Sequence, residues 1–288
     1  MAPRGFPGRA RVAVALALVG LLCACAAAPR LATRDIPPLQ LDEQVIHPYE
    51  VQHLVYSPDL LALDDEMRDF VARYTGGINN KRLRLMALHR AVKGSGTLDL
   101  RYDPFAEGTA EQTYYRGTAN CLSYANLFVA MAREAGLDAR YQWLEVRPQW
   151  SRLGERVAVR LHVNVQVKLR NGEEYMADID PLQSRDITGS RVISDDEALA
   201  LFHSNIAMDA LADKDLATAW LQAVRAVQLS PDTAHLWVNL GAVYRHAGQH
   251  REAEGAYLQA LQLDRGERSA SRPSMSYSTT RLFMAERS

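Results

Sequence analysis

The feature that most constrains this chain is a strict alternation over residues 157–169. Val157, Val159, Leu161, Val163, Val165, Val167 and Leu169 fall on one set of positions, and Arg160, His162, Asn164, Gln166 and Lys168 on the other. Successive side chains of a strand point to opposite faces, so the run reads as a strand with an apolar face and a polar one, and His162 points away from the apolar face. Arg170-Asn171-Gly172 suits a three-residue hairpin loop with glycine in the left-handed position, followed by a returning strand over 173–180. Pairing Leu169 with Glu173 puts His162 opposite Asp180 and Asn164 opposite Asp178. Directly opposed Cβ atoms lie about 5 Å apart and diagonal ones about 7 Å, so either aspartate reaches the imidazole. A two-residue loop would turn both carboxylates to the wrong face.

Upstream, Asn120-Cys121-Leu122-Ser123-Tyr124-Ala125 opens a run that is apolar nearly all round as far as Ala135-Gly136. Asn120 is a favoured N-cap and Gly136 a favoured residue just past a helix end, which places Cys121 in the first turn of a helix that must be buried. A thiol there feels the positive end of the helix dipole, and an adjacent imidazole would complete an ion pair that favours the thiolate. Of the three cysteines, Cys23 and Cys25 sit in the N-terminal apolar run, so Cys121 is the sole thiol of the folded body. Taken singly, a helical cysteine is more often a small buried hydrophobe, and a strand histidine more often one polar residue on a solvated face. The joint order of Cys121, His162 and an aspartate carries the argument.

Helical spacing marks 63–74 and 81–92, separated by Gly76-Gly77 and stopped by Gly94-Ser95-Gly96; a connecting stretch runs from Tyr102 to Gly117, and 140–146 reads as a strand. At the N-terminus, Arg4, Arg9 and Arg11 precede an uncharged stretch, Val12 to Leu22, too short for a bilayer core of roughly 30 Å, as in a signal peptide. Its end, Leu22-Cys23-Ala24-Cys25, resembles a bacterial lipobox, which makes Cys25 the expected lipidated residue; Ala26, rather than Asp, follows it, as in outer-membrane sorting. Residues 26–41 are rich in Ala and Pro and read as a tether. From Leu199 the pattern becomes helical with a 34-residue period. Trp237, Leu240, Gly241, Tyr244, Ala253, Tyr257 and Ala260 resemble the tetratricopeptide consensus, and Ala219, Ala226 and Pro231 fall at matching places one period earlier, where the Trp and Gly positions hold His203 and Ala207.

The segment from Ala119-Asn120-Cys121 through Tyr124-Ala125, Leu127-Phe128, Ala130 and Arg133 to Gly136, followed by a histidine strand and an aspartate strand, resembles the transglutaminase-like superfamily, of papain-like cysteine fold. The resemblance covers roughly residues 80–185. It implies Cys121 as nucleophile, His162 as base and Asp178 as orienting acid, with Asp180, in its Asp-Pro, as the alternative. It also implies the backbone amides of Cys121 and Leu122 as oxyanion donors, and no metal or organic cofactor. Ala119 and Asn164 depart from the glycine and the aromatic common at their positions. The expected fold class is α+β, a transglutaminase-like core with the cysteine helix packed on an antiparallel sheet, followed by an all-α tetratricopeptide segment. The expected divisions are a lipoprotein signal peptide (1–24), tether (25–41), transglutaminase-like domain (42–195), two repeats (196–265) and a disordered tail (266–288).

The resemblance implies a cysteine protease, amidase or acyltransferase that acts on amide bonds of peptides or proteins through a thioester, and the lipobox-like segment ending at Cys25 implies that it is held by its lipid in the cell envelope. The competing expectation is a catalytically silent envelope scaffold that grips partner proteins through this domain and the repeats. With 33 basic and 34 acidic side chains, no net charge favours nucleic acid.

Overall fold

A computed structural model describes residues 32–41, 44–95, 97–146, 151–153, 156–158 and 162–263. The expected signal peptide, Cys25, the first part of the tether and the tail 266–288 lie outside these described residues.

A short antiparallel ribbon, β1 (Leu39–Leu41) and β2 (Gln44–Ile46), leads into a single turn, α1 (Val51–Leu54). Helices α2 (Asp65–Thr75) and α3 (Lys81–Lys93) follow, each opened by a side-chain cap: Asp64 accepts from the Met67 N–H and Asn80 from the Leu83 N–H. Their apolar residues recur every three or four positions, so α2 buries Met67, Phe70 and Val71, and α3 buries Leu85, Leu88, Ala91 and Val92. The stretch expected only to connect Tyr102 and Gly117 instead contains a helix, α4 (Ala110–Arg116), between the parallel two-residue strands β3 (Arg101–Tyr102) and β4 (Thr118–Ala119). A reciprocal cap between Thr109 and Gln112 opens α4, and Gly117, at φ 70°, closes it.

The next helix, α5 (Cys121–Glu134), is buried from Cys121 to Ala132. Its Tyr124, Leu127, Phe128 and Met131 are fully enclosed, a burial that stabilises by about 1.5–3 kcal/mol for each such side chain. Gly136, at φ 72°, turns the chain into β5 (Asp138–Val146). Then come β6 (Ser151–Leu153), β7 (Arg156–Ala158), β8 (His162–Lys168), β9 (Glu174–Ala177) and β10 (Ile187–Val192). Strands β10, β5, β8 and β9 form, in that order, one antiparallel sheet against which α5 packs. The alternating run expected as one strand is divided: β7 pairs with β6 in a separate ribbon, β8 joins the main sheet, and residues 159–161 between them are outside the described set.

Where the hairpin closes, the Leu169 N–H donates to the Glu173 carbonyl at 2.7 Å, Gly172 sits at φ 77°, and Val165 pairs with Ala177. That is the expected register. Tyr141, level with Val165, donates its hydroxyl to Asn126 on α5 at 2.8 Å, so the valine face of β8 is the one the helix covers. The opposite face, polar in sequence, is buried as well: His162, Asn164 and Gln166, with Gln142 of β5, are nearly inaccessible.

Four helices follow in two hairpins: α6 (Asp195–Ala212) with α7 (Leu216–Leu229), and α8 (Ala234–His246) with α9 (His250–Leu263). Helices α7 and α9 begin 34 residues apart. A Cβ added at Gly241 would stand 2.6 Å from the Tyr257 ring, so only glycine lets α8 and α9 approach this closely. The stretch expected as tether is a correction from Ala32 onward. Ile36 and Leu39 are buried, the Tyr244 hydroxyl and the Gln249 amide donate to the carbonyls of Pro37 and Pro38, and the Gln40 N–H returns a bond to Gln249 at 2.8 Å. Two apolar anchors and side-chain partners for the backbone hold a proline-rich segment that has no periodicity of its own. No helix among the described residues is long and apolar enough to cross a membrane.

Candidate active site

The start of α5 is fixed by its cap. The Asn120 side chain accepts the Ser123 N–H at 2.8 Å, and Cys121 is the first residue of the helix, 4% exposed and outside any disulfide. The backbone amides at this end point out of the helix without intrahelical acceptors, which makes them donors for a developing oxyanion.

At the start of β8, the His162 ring meets a carboxylate. Its Nε2 lies 2.7 Å from Asp178 Oδ2, with the two side chains 2% and 8% exposed. Asp178 follows the last residue of β9, diagonal to His162 in the sheet register, and is held there by two further contacts. The Asp180 N–H donates to Asp178 Oδ1 at 3.1 Å, and the Lys93 ammonium, from the last turn of α3, donates to the carbonyls of Asp178 and Ile179 at 3.0 and 3.1 Å. With Nε2 engaged by the carboxylate, Nδ1 is the nitrogen left to receive a proton from a thiol.

Tyr124, one turn beyond Cys121, is fully enclosed, and its hydroxyl has no partner among the described residues. Burial, and secondarily the Asp178 charge, pushes its phenol well above the ordinary tyrosine range. Tyr124, in the first turn of α5, thus lies within electrostatic reach of the Asp178 carboxylate. Behind it, the Tyr175 hydroxyl lies 3.2 Å from His89 Nδ1, and burial, aided by Lys93, pulls the His89 pKa down.

The structure thus joins His162 to Asp178. Asp180, level with His162 by register, contributes its backbone N–H to the Asp178 carboxylate instead. Leu122 is buried in the first turn of α5, and Cys25 lies outside the described residues. Two polar residues that the sequence reading did not single out, Lys93 and Glu107, stand next to these groups. Lys93 looks in sequence like the last charged residue of an amphipathic helix. Glu107 lies in an irregular stretch, yet its carboxylate accepts from the Asn120 amide at 3.1 Å and the Ser123 hydroxyl at 3.3 Å.

Comparison with known proteins identifies one domain. Residues 68–178 match the transglutaminase-like superfamily core, a span that opens in α2, includes Cys121 and His162, and closes on Asp178. No curated protein and no solved structure matches the chain. Residues 68–178, less than half of the chain, form a transglutaminase-like domain.

Proposed function

We propose that this protein is a membrane-anchored cysteine enzyme that cleaves or transfers amide-linked acyl groups of peptides or proteins. The observation that carries the reading is the buried 2.7 Å bond between His162 and Asp178 at the end of the sheet where the cysteine helix begins. Cys121 Sγ attacks the amide carbonyl carbon while its proton passes to His162 Nδ1, and the carbonyl oxygen takes the negative charge against the Cys121 and Leu122 amides. Collapse of this intermediate breaks the C–N bond, and the leaving amine takes the proton from the imidazolium. Water or a second amine then attacks the thioester, its proton passes to His162, and the thiol is released with an acid or a new amide as product. Asp178 fixes the ring orientation and stabilises the imidazolium. Transfer of the proton requires the thiol and the imidazole to stand within hydrogen-bonding distance when substrate is bound. The lipid on Cys25 holds the body at the cell envelope, most simply at the periplasmic face of the outer membrane. Helices α6 to α9 act as a tetratricopeptide pair for a protein partner.

A second reading is favoured by the burial of Cys121 at 4% exposure: a silent scaffold that grips partner proteins through the transglutaminase-like domain and the helical hairpins. Incubating the full chain with cell-envelope extract and mapping Cys121 by mass spectrometry separates the two. An acyl adduct on Cys121 that is missing in His162→Ala is expected; an unmodified Cys121 alongside co-purified partner protein would establish the scaffold.

A further inference from the structure

The start of the cysteine helix is tied to the helical C-terminal segment through one carboxylate. Glu107 accepts from Asn120 Nδ2 at 3.1 Å, from Ser123 Oγ at 3.3 Å and from Asn205 Nδ2 at 2.5 Å. Asn120 and Ser123 flank Cys121 in the first turn of α5, whereas Asn205 belongs to α6, 98 residues away from Glu107 in sequence. The loop itself is held in place: the Arg116 guanidinium donates to the carbonyls of Glu107 and Ala106 at 2.9 and 2.8 Å, and the Asn120 N–H donates to the Ala106 carbonyl at 3.3 Å.

A negative group at this end of α5 opposes what the thiol needs. The helix dipole and an imidazolium both favour a thiolate, and a carboxylate within the same turn disfavours it. Donors on the carboxylate spread its charge and weaken the opposition, and one of those donors comes from α6. We propose that Glu107 is a positioning residue that restrains ionisation of Cys121, and that Asn205 makes the restraint depend on the placement of α6, so that the helical segment is coupled to thiol reactivity. The proposal rests on Cys121 as a reactive thiol and gives the protein a route by which occupancy of the hairpins reaches the site.

Among the described residues, the other ionisable groups near the start of α5 include Arg116 on α4, Asp103 in the loop before it, His89 and Lys93 on α3, His162, Asp178 and Asp180 at the sheet, and Tyr124 on α5 itself. Helix α2 turns the apolar Met67, Phe70 and Val71 inward. Of these groups, Arg116 is tied to the Glu107 carbonyl by a hydrogen bond, and the Glu107 carboxylate is tied to the Asn120 cap.

The test is the pH midpoint of Cys121 alkylation by iodoacetamide in the full chain. Glu107→Gln keeps a side-chain acceptor and removes the charge; its midpoint is expected to fall by about one pH unit, roughly tenfold more thiolate at a fixed lower pH. Asn205→Ala removes a donor and leaves the charge; its midpoint is expected to rise by about half a unit. In the double variant the Asn205 effect should vanish, as a cycle through one shared carboxylate requires. Glu107→Asp, with the charge retained, should stay near the wild type and serves as a folded control. A midpoint in Glu107→Gln that is unchanged or higher, in protein with wild-type circular dichroism, would overturn the proposal, and so would an Asn205→Ala shift that persists in the double variant. His162→Ala, measured alongside, reports on the catalytic pair independently. If it moves nothing while the Glu107 variants shift, the enzyme reading fails and this one stands.

Discussion

Three imidazoles set the sheet apart from the helical segment. His162, at the sheet end, has a carboxylate as its hydrogen-bond partner. His203, on α6, lies between the Ser57 hydroxyl at 2.8 Å and the Gln222 amide at 2.6 Å, and burial, aided by Arg225, pulls its pKa down. His235, with its ring against Trp143, is pushed down to about 3, first by burial and then by Arg191. Where the partners are neutral, burial keeps the ring neutral and the residue fills space. A buried carboxylate beside the ring stabilises an imidazolium when one forms, which is what proton transfer from a thiol requires. The residue type is the same in both regions and the neighbouring group differs: neutral side chains around His203, an aromatic ring against His235, a carboxylate beside His162.

The largest expected effect breaks this contrast. Asp178→Asn should lower acyl transfer by roughly 10²–10⁴-fold, measured as release of amine from a peptide amide, because the ring loses its orienting charge. Asp180→Asn should cost less than about threefold, since Asp180 acts on the carboxylate through its backbone N–H. A large loss in Asp180→Asn and none in Asp178→Asn would reverse the assignment.

The next effect lies wholly in the helical segment. Gly241→Ala drives a methyl group against the Tyr257 ring, and urea unfolding should report about 1–3 kcal/mol of lost stability.

The third effect is a pH dependence. His235 has a folded pKa below its unfolded value, so the unfolded chain binds more protons below about pH 6.5. Stability is then fully present above pH 6.5 and is lost as pH falls towards 3. About 2 kcal/mol should disappear between pH 6.5 and 5, and His235→Phe should flatten that slope in urea titrations at stepped pH.

The smallest is Lys93→Met, which frees the carbonyls of Asp178 and Ile179 from the α3 ammonium. Acyl transfer should fall by about threefold to tenfold with little change in KM, and Lys93→Arg should restore part of it.

The hairpin was readable because a period of two and a glycine turn leave one register. Leu169 opposite Glu173 brings Asp178 and Asp180 to the His162 side, and Gly172 takes the left-handed conformation as expected. The Asn120 cap and the buried run to Ala132 were readable from local chemistry alone. The choice between the two aspartates was not, because it turns on a lysine of α3 and a backbone bend past the strand end. Helix α4 has only seven residues, too few to show a period, although its Thr109 and Gln112 carry the capping signal. Strand β10, interrupted by a register shift between Ile187 and Gly189, has no clean alternation. The docking of residues 32–41 and the Glu107–Asn205 bond are set by contacts between distant parts of the chain, which local pattern does not encode.

The central claim is that His162 and Cys121 function as one ionising pair. The direct measurement is the ultraviolet titration of the Cys121 thiolate in the wild type, in His162→Ala and in Asp178→Asn. The account predicts a wild-type thiolate at least one pH unit below the ordinary cysteine value of about 8.5, and a return towards that value in His162→Ala. Superimposable titrations in wild type and His162→Ala would contradict it.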